Sequence, residues 1–234
     1  MRNSQEVIGV IPARLESKRL PGKVLLSIAG KAMVHRVYES ARQSRLLSSL
    51  IVATDSEEVQ RYCLGHDIPV TMTGRHPSGT DRLHEVMERT QGDEPMLRSD
   101  HIELLLEPIL ARRAEVTTLK VAMDDAEARD PNSVKVVTDD KGHALYFSRL
   151  PIPFDRSGSG GIRYYKHIGL YAYTRQALAQ FHRLPQSSLE LAEKLEQLRF
   201  LQNGIAILVA ETPYDTIGVD TEADLERVIA LFGG

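Results

Sequence analysis

The chain reads as an α/β protein: a mostly parallel central sheet with helices on both faces, joined to a smaller, strand-rich lobe. Three observations predict this. Short apolar runs rich in β-branched residues alternate with helical patterns through the first half, and the second half carries five further strand-like runs. The composition, 42% hydrophobic and 26% charged over 234 residues, is that of an ordinary globular chain. At this length a fold buries roughly 70% of the surface its unfolded chain exposes, so no disulfide or metal staple is needed. One domain over 1–234, with the lobe around 125–185, is the expected organisation.

Taken in order, the first strands are "VIGVIPA" (7–13), "SLIVAT" (49–54) and "PVTMT" (69–73). Met33, Val34, Val37, Tyr38 and Ala41 mark the apolar face of one intervening helix. "DSEEVQRYCLG" predicts a second, capped by Asp55 or Ser56 and stopped at Gly65. Further strands are "EVTTLKVAM" (115–123), "SVKVVTD" (133–139), "ALYFSRL" (144–150), "KHIGLYAYT" (166–174) and "IAILVAE" (205–211). Ser187 and Glu190 form a capping box ahead of Leu191, Leu195 and Leu198, predicting a helix that Gly204 closes. Thr221 and Asp224 predict another ahead of Leu225, Val228, Ile229 and Phe232, and both leucine stripes are expected to face the core. "FDRSGSGG" (154–161) is a flexible loop, compatible with either a lid or a plain connection.

The formal charge of −3 argues against a general nucleic-acid binder, which needs a broad basic surface. No apolar run approaches the roughly 18 residues of a membrane span, and the polar start "MRNSQE" is no signal peptide, so a cytoplasmic protein is expected. Cys63 is the one cysteine and reads as a buried small hydrophobe. Against this background "IPARLESKRLPGK" (11–23) concentrates Arg14, Lys18, Arg19 and Lys23 at one bend after a strand. It lacks both glycine-rich phosphate motifs, so the charge must come from side chains. Each charge-assisted hydrogen bond contributes roughly 1.5 to 3 kcal/mol, enough for Arg14, Arg19 and Lys23 together to hold a nucleoside triphosphate. Pro21 and Gly22 would set the bend. A solvated surface loop is the plainer alternative.

"IPARLESKRLPGK" resembles the amino-terminal signature of the 3-deoxy-manno-octulosonate (Kdo) cytidylyltransferases, or CMP-Kdo synthetases, close to PAR-x-x-S-x-R-L-P-G-K. Later segments match in order: "ATDS" at 53, "HPSGTDR" at 76, "QGDEP" at 91, "PNSVKVV" at 131, "ALYFSR" at 144, "KHIGLYAY" at 166, "LEQLR" at 195 and "GVDTEADLE" at 218. The resemblance covers nearly the whole chain. It implies a sugar-nucleotidyltransferase, Rossmann-like fold and an enzyme that couples CTP to Kdo, releases pyrophosphate and requires Mg²⁺. Carried over by position, Arg14, Ser17, Arg19 and Lys23 hold the CTP phosphates, while Ser78, Gly79, Thr80 and Gln91 serve the nucleotide. Asp93 and Asp220 are the implied Mg²⁺ ligands, in keeping with the ion's preference for hard oxygen donors. For Asp220 a helix N-terminal charge is the structural alternative, and for Ser78 a capping box with Asp81. His167, Glu196 and Gln197 fall at sugar-pocket positions, and the Arg149 guanidinium suits the Kdo carboxylate. A homodimer through the strand-rich half is also implied. One rival reading is a relative that activates another acidic sugar, such as 8-amino-Kdo or a sialic acid, and the rival of another class is a catalytically silent nucleotide-binding relative.

The chain departs from the family in one place. Members carry a hydrophobic strand between the helix after "SGT" and the "QGDEP" turn, whereas here "DRLHEVMERT" runs straight into it. Glu88 to Thr90 leave no room for the roughly five to six residues a strand needs. Lys18 and Val24 are smaller departures, standing where the family often has a small hydroxyl residue and a proline.

Overall fold

A computed structural model describes residues 7–16, 20–74, 76, 82, 85, 98–158, 160–216, 218–219 and 222–232. The chain divides into two units, Met1–Glu103 with Thr216–Gly234, and Leu104–Asp215.

In the first unit, β1 (Ile8–Pro12) leads into the basic segment, a 3-10 turn (Lys23–Leu25), the short hairpin of β2 (Ser27–Ile28) and β3 (Lys31–Ala32), and α1 (Met33–Ala41). Strand β4 (Ser49–Thr54), α2 (Glu57–Leu64) and β5 (Val70–Met72) follow. The sheet runs β1-β4-β5 with both pairings parallel. Of the two candidate caps for α2 it is Ser56 whose side chain accepts from the Val59 N–H. Val34 and Val37, from the predicted apolar face of α1, and Val59 and Cys63 of α2 pack with Ile11 and Val52 of the predicted strands and with Ile68. Cys63 is fully buried, and burial pushes its thiol up to about 11, so it packs as a hydrophobe.

Helix α3 (Ser99–Leu110) leads into the second unit, followed by β6 (Val116–Met123), the short α4 (Asp125–Ala128), β7 (Lys135–Thr138), β8 (Ala144–Ser148) and β9 (Tyr164–Tyr173). Then come α5 (Arg175–Arg183), α6 (Ser188–Glu193), α7 (Leu198–Gln202) and β10 (Leu208–Glu211). All five runs read as strands form one sheet, in the order β10-β6-β9-β7-β8. Only β10 and β6 are parallel; the other three pairings are antiparallel. Val116, Val136, Phe147, Phe181, Leu198, Phe200 and Ile207 make its core, each such side chain contributing about 1.5 to 3 kcal/mol on burial. The chain then returns to the first unit, where α8 (Glu222–Phe232) contributes Val228 to a cluster with Ile28, Met33 and Val219.

Three expectations need correction. The helix predicted from Ser187 to Gly204 is two helices: the capping box of Ser187 and Glu190 forms, but Lys194 takes φ 55° and ends α6. Leu191 is 46% exposed, so the stripe that buries Leu195 and Leu198 does not include it, and Ile229 of α8 is likewise exposed. Helices α3 and α5 escape the pattern reading. In α3 the unbroken "LLL" and an internal Pro108 obscure the period. In α5 the start signal is Thr174, which accepts from the Ala177 N–H ahead of buried Ala177, Leu178 and Phe181. The residues around the departure before Gln91 lie outside those described.

Candidate active site

In a parallel sheet, ligands bind beyond the carboxyl ends of the strands. In the first unit those ends are tied together. Ala13 N–H donates to the Ala53 carbonyl at 2.8 Å, and Thr73 N–H to the Thr54 carbonyl at 2.8 Å. The buried Thr54 hydroxyl donates to the Ala13 carbonyl at 2.6 Å, fixing the peptide that leads into Arg14. Arg14 is exposed immediately beyond this buttress. The loop that follows is closed where Gly22 N–H donates to the Leu15 carbonyl at 3.0 Å, with Gly22 at φ 68°, a left-handed conformation that glycine adopts without strain. Lys23 then reaches the Val219 carbonyl, Nζ to oxygen 3.2 Å, which brings the basic segment to the residue preceding Asp220. The predicted Ser17, Arg19, Ser78, Gly79, Thr80, Gln91, Asp93 and Asp220 lie outside the described residues.

Sequence reasoning passed over a buried ion pair at this edge. Arg82 has no exposed surface, and its guanidinium donates to Asp55 at 2.8 Å and to the Thr73 hydroxyl. Asp55 and Thr73 directly follow β4 and β5, so one arginine fastens both strand ends. Its Nε is buried with no hydrogen-bond partner. Nearby, Glu85 accepts from Gly74 N–H at 2.9 Å and pairs with His76. The signal was present in "ATDS" and "HPSGTDR", but an arginine beside an aspartate reads equally well as solvated surface.

The second unit brings its predicted residues to a strand face and a helix break. His167 on β9 sits 3.0 Å, Nε2 to Oγ1, from Thr118 on β6. The Thr118 hydroxyl also lies 2.7 Å from the Leu170 carbonyl and 3.1 Å from that of Ile168, acceptors that take its single proton. The hydroxyl therefore accepts from Nε2–H, which assigns the tautomer and leaves Nδ1 as an acceptor. Burial lowers the His167 pKa to about 3, so the imidazole is neutral near pH 7. Its ring meets Phe147 edge-on at 4.9 Å and Tyr171 at 5.4 Å between centroids. Tyr171, which the sequence reading did not single out, has its phenol pKa raised first by burial, then by Tyr173 and by Glu196. His167, Tyr171 and Glu196 are thus brought into one neighbourhood.

Glu196 and Gln197 occupy the short link between α6 and α7, Gln197 buried at the start of α7. A buried pair spans that link. Arg199 donates to both oxygens of Glu190, at 2.7 and 2.5 Å, and its guanidinium lies 4.1 Å from the Phe181 ring centre. Burial alone would raise the Glu190 pKa; Arg199 and the Ser187 N–H outweigh it and hold the carboxyl below its ordinary value. Arg149, which follows β8, donates from Nε to the Glu193 carbonyl at 2.8 Å and from Nη1 to the Pro131 carbonyl at 2.9 Å. Two of the five guanidinium hydrogens are so engaged. Among the described residues no group of three or more His, Cys, Asp or Glu is placed to hold a metal ion, and no helix is long and apolar enough to cross a membrane.

Residues 8–207 match the model of a family described as Cytidylyltransferase. A 3-deoxy-manno-octulosonate cytidylyltransferase of Koribacter versatilis is 50% identical over 232 residues, covering 95% of this chain and 88% of the relative. One of Geobacter sulfurreducens is 45% identical, with 95% and 98% covered. A solved structure of CMP:2-keto-3-deoxy-manno-octonic acid synthetase complexed with CTP superposes with a TM-score of 0.92 at 44% identity, over 98% of this chain and 99% of that one. A glucose-1-phosphate thymidylyltransferase structure from Bacillus anthracis, 17% identical with a TM-score of 0.67, shares the fold.

Proposed function

Because the chain belongs to the cytidylyltransferase family, among the 3-deoxy-manno-octulosonate cytidylyltransferases, we infer that it couples CTP to Kdo, giving CMP-Kdo and pyrophosphate for lipopolysaccharide biosynthesis. The observation that carries this is the likeness to the CTP-bound synthetase, 44% identical over 98% of the chain. The sugar's anomeric oxygen attacks the α-phosphorus of CTP as the bond to the bridging oxygen of the β-phosphate breaks. Pyrophosphate leaves with the electron pair, and the hydroxyl proton passes to solvent water.

The residues divide the work as the resemblance implies. Arg14, Arg19 and Lys23, with Ser17, take the triphosphate and stabilise the charge that builds on the leaving pyrophosphate. Ser78, Gly79, Thr80 and Gln91 serve the rest of the nucleotide. Arg149 pairs with the Kdo carboxylate. Glu196, Gln197 and the neutral His167 hydrogen-bond sugar hydroxyls, His167 accepting at Nδ1. Asp93 and Asp220 would hold Mg²⁺, as the resemblance implies, and the ion would neutralise charge on the phosphate oxygens.

The same reading makes the protein a cytoplasmic homodimer joined through the second unit. Leu145, Leu150 and Phe154 support that placement, each more than 60% exposed as large apolar side chains. The test is pyrophosphate release from purified protein supplied with CTP, Mg²⁺ and Kdo, and in parallel with 8-amino-Kdo or a sialic acid. Release that requires CTP and is fastest with Kdo is the expected result. A preference for another acid would reassign the sugar, and CTP binding with no release from any of them would leave a silent relative. Sedimentation of Phe154→Ser beside the wild type tests the dimer surface, with a shift toward monomer expected.

A further inference from the structure

Arg149 is held on four sides, and two residues do most of the holding. Its N–H donates to the Glu193 carboxylate at 2.9 Å, and its Nε to the Glu193 carbonyl at 2.8 Å. Its own carbonyl accepts from Lys135 Nζ at 2.6 Å, and its Nη1 donates to Pro131. Lys135 has no exposed surface, and its ammonium spends its other protons on the carbonyls of Asp130 and Ser133, at 2.8 and 2.6 Å. The second Glu193 oxygen accepts from the Ser148 hydroxyl at 2.7 Å. Immobilising a free arginine side chain costs rotamer entropy. Here the backbone and half of the guanidinium are immobilised in advance, with Nη2 having no partner among the described residues. The contacts are also selective: both oxygens of a half-buried carboxylate go to one strand end, and all three ammonium protons go to carbonyls.

We propose that Glu193 and Lys135 are positioning residues for the sugar acid, holding Arg149 so that its Nη2 edge is presented to the substrate carboxylate. This rests on the reading of Arg149 as the carboxylate's partner. Preorganising an arginine lowers the entropy lost when the carboxylate binds, so the effect falls on sugar affinity and spares the nucleotide. A simpler electrostatic view predicts the opposite sign, because a second carboxylate near the first would repel an anionic sugar.

Steady-state kinetics with Kdo and CTP varied separately decides the matter, using Arg149→Met, Glu193→Ala and Glu193→Gln, each checked for folding by circular dichroism. Glu193→Ala is expected to raise KM for Kdo about tenfold while KM for CTP stays within about twofold. Glu193→Gln, which keeps the shape and one of the two oxygen acceptors, should lie between Glu193→Ala and the wild type. If Arg149→Met leaves KM for Kdo unchanged, the Arg149 reading fails and the proposal with it. If Arg149→Met raises it and Glu193→Ala does not, only the positioning role fails. A lowered KM in Glu193→Gln, or equal rises in both KM values with a lower Tm, would likewise overturn the proposal, the first as repulsion and the second as a purely structural cross-link.

Discussion

The two units use their arginines differently. In the first, β1, β4 and β5 are parallel, so the strand ends collect at one edge and site residues sit in the loops that leave it, as exposed Arg14 does. Arg82, fully buried, braces that edge through Asp55, whose side chain keeps 23% of its surface. In the second, antiparallel pairing sets residues on a sheet face and against a helix break. His167 is there desolvated to neutrality, and Arg199 is locked in both directions by Glu190. The lesson is one of solvent. Exposed Arg14 keeps its hydration, while the sheet face around His167 trades hydration for fixed hydrogen-bonding geometry.

Substitutions that remove one member of each buried pair put the contrast at risk. Arg199→Met strands the Glu190 carboxylate with 5% of its side chain exposed and should cost about 3 to 5 kcal/mol of stability. Arg82→Met should cost less, about 1.5 to 3 kcal/mol, because Asp55 recovers water. Chemical denaturation of both variants tests the order, and an equal or reversed loss would end the idea that solvent access separates the two pairs. Arg14→Ala comes next, with no measurable change in Tm and a KM for CTP raised roughly 10- to 100-fold, the loss of one charge-assisted contact. A drop in Tm would show that Arg14 braces the loop instead of waiting for ligand.

A pH series sharpens the comparison on the sugar side. The His167 imidazole titrates near 6.5 when unfolded and near 3 when folded, so between those values the unfolded chain binds a proton the folded chain does not. Its contribution to stability is complete above about pH 6.5 and is lost as pH falls toward 3. His167→Asn should therefore lose less stability than the wild type between pH 7 and 4.5, measured by urea unfolding at each pH. Parallel curves would mean the folded imidazole is hydrated. The smallest effect is expected from Ser187→Ala, about 1 kcal/mol for the loss of the α6 cap, read as a shift in the denaturation midpoint.

Much of this was written in local patterns. Strand positions followed from β-branched runs, since a short apolar run bounded by turn residues has few other uses. Two helix starts followed from a side chain that caps its own backbone, at Ser56 and Ser187, while the same signal at Thr174 was passed over. Among the candidate site residues, the exposed setting of Arg14 after β1 followed from charge concentrated beside proline and glycine, whereas the Lys23 contact to the Val219 carbonyl did not. Arg82, Tyr171 and the Glu193 contacts to Arg149 were not legible either, since each depends on partners from other elements. Arg82 meets a residue 27 positions away, and Glu193 one 44 away.

By itself, then, the sequence determined the alternation of strands and helices, the caps, the basic loop and the chemistry that loop invites. All of these are properties of residues within a few positions of one another, where backbone geometry leaves little choice. Only the tertiary structure decided which charges lost their water. It bent the chain at Lys194, buried Arg82 and Arg199 while leaving Arg14 in solvent, and made His167 neutral. Desolvation is set by what the rest of the chain packs around a group, and that arises only when distant elements meet.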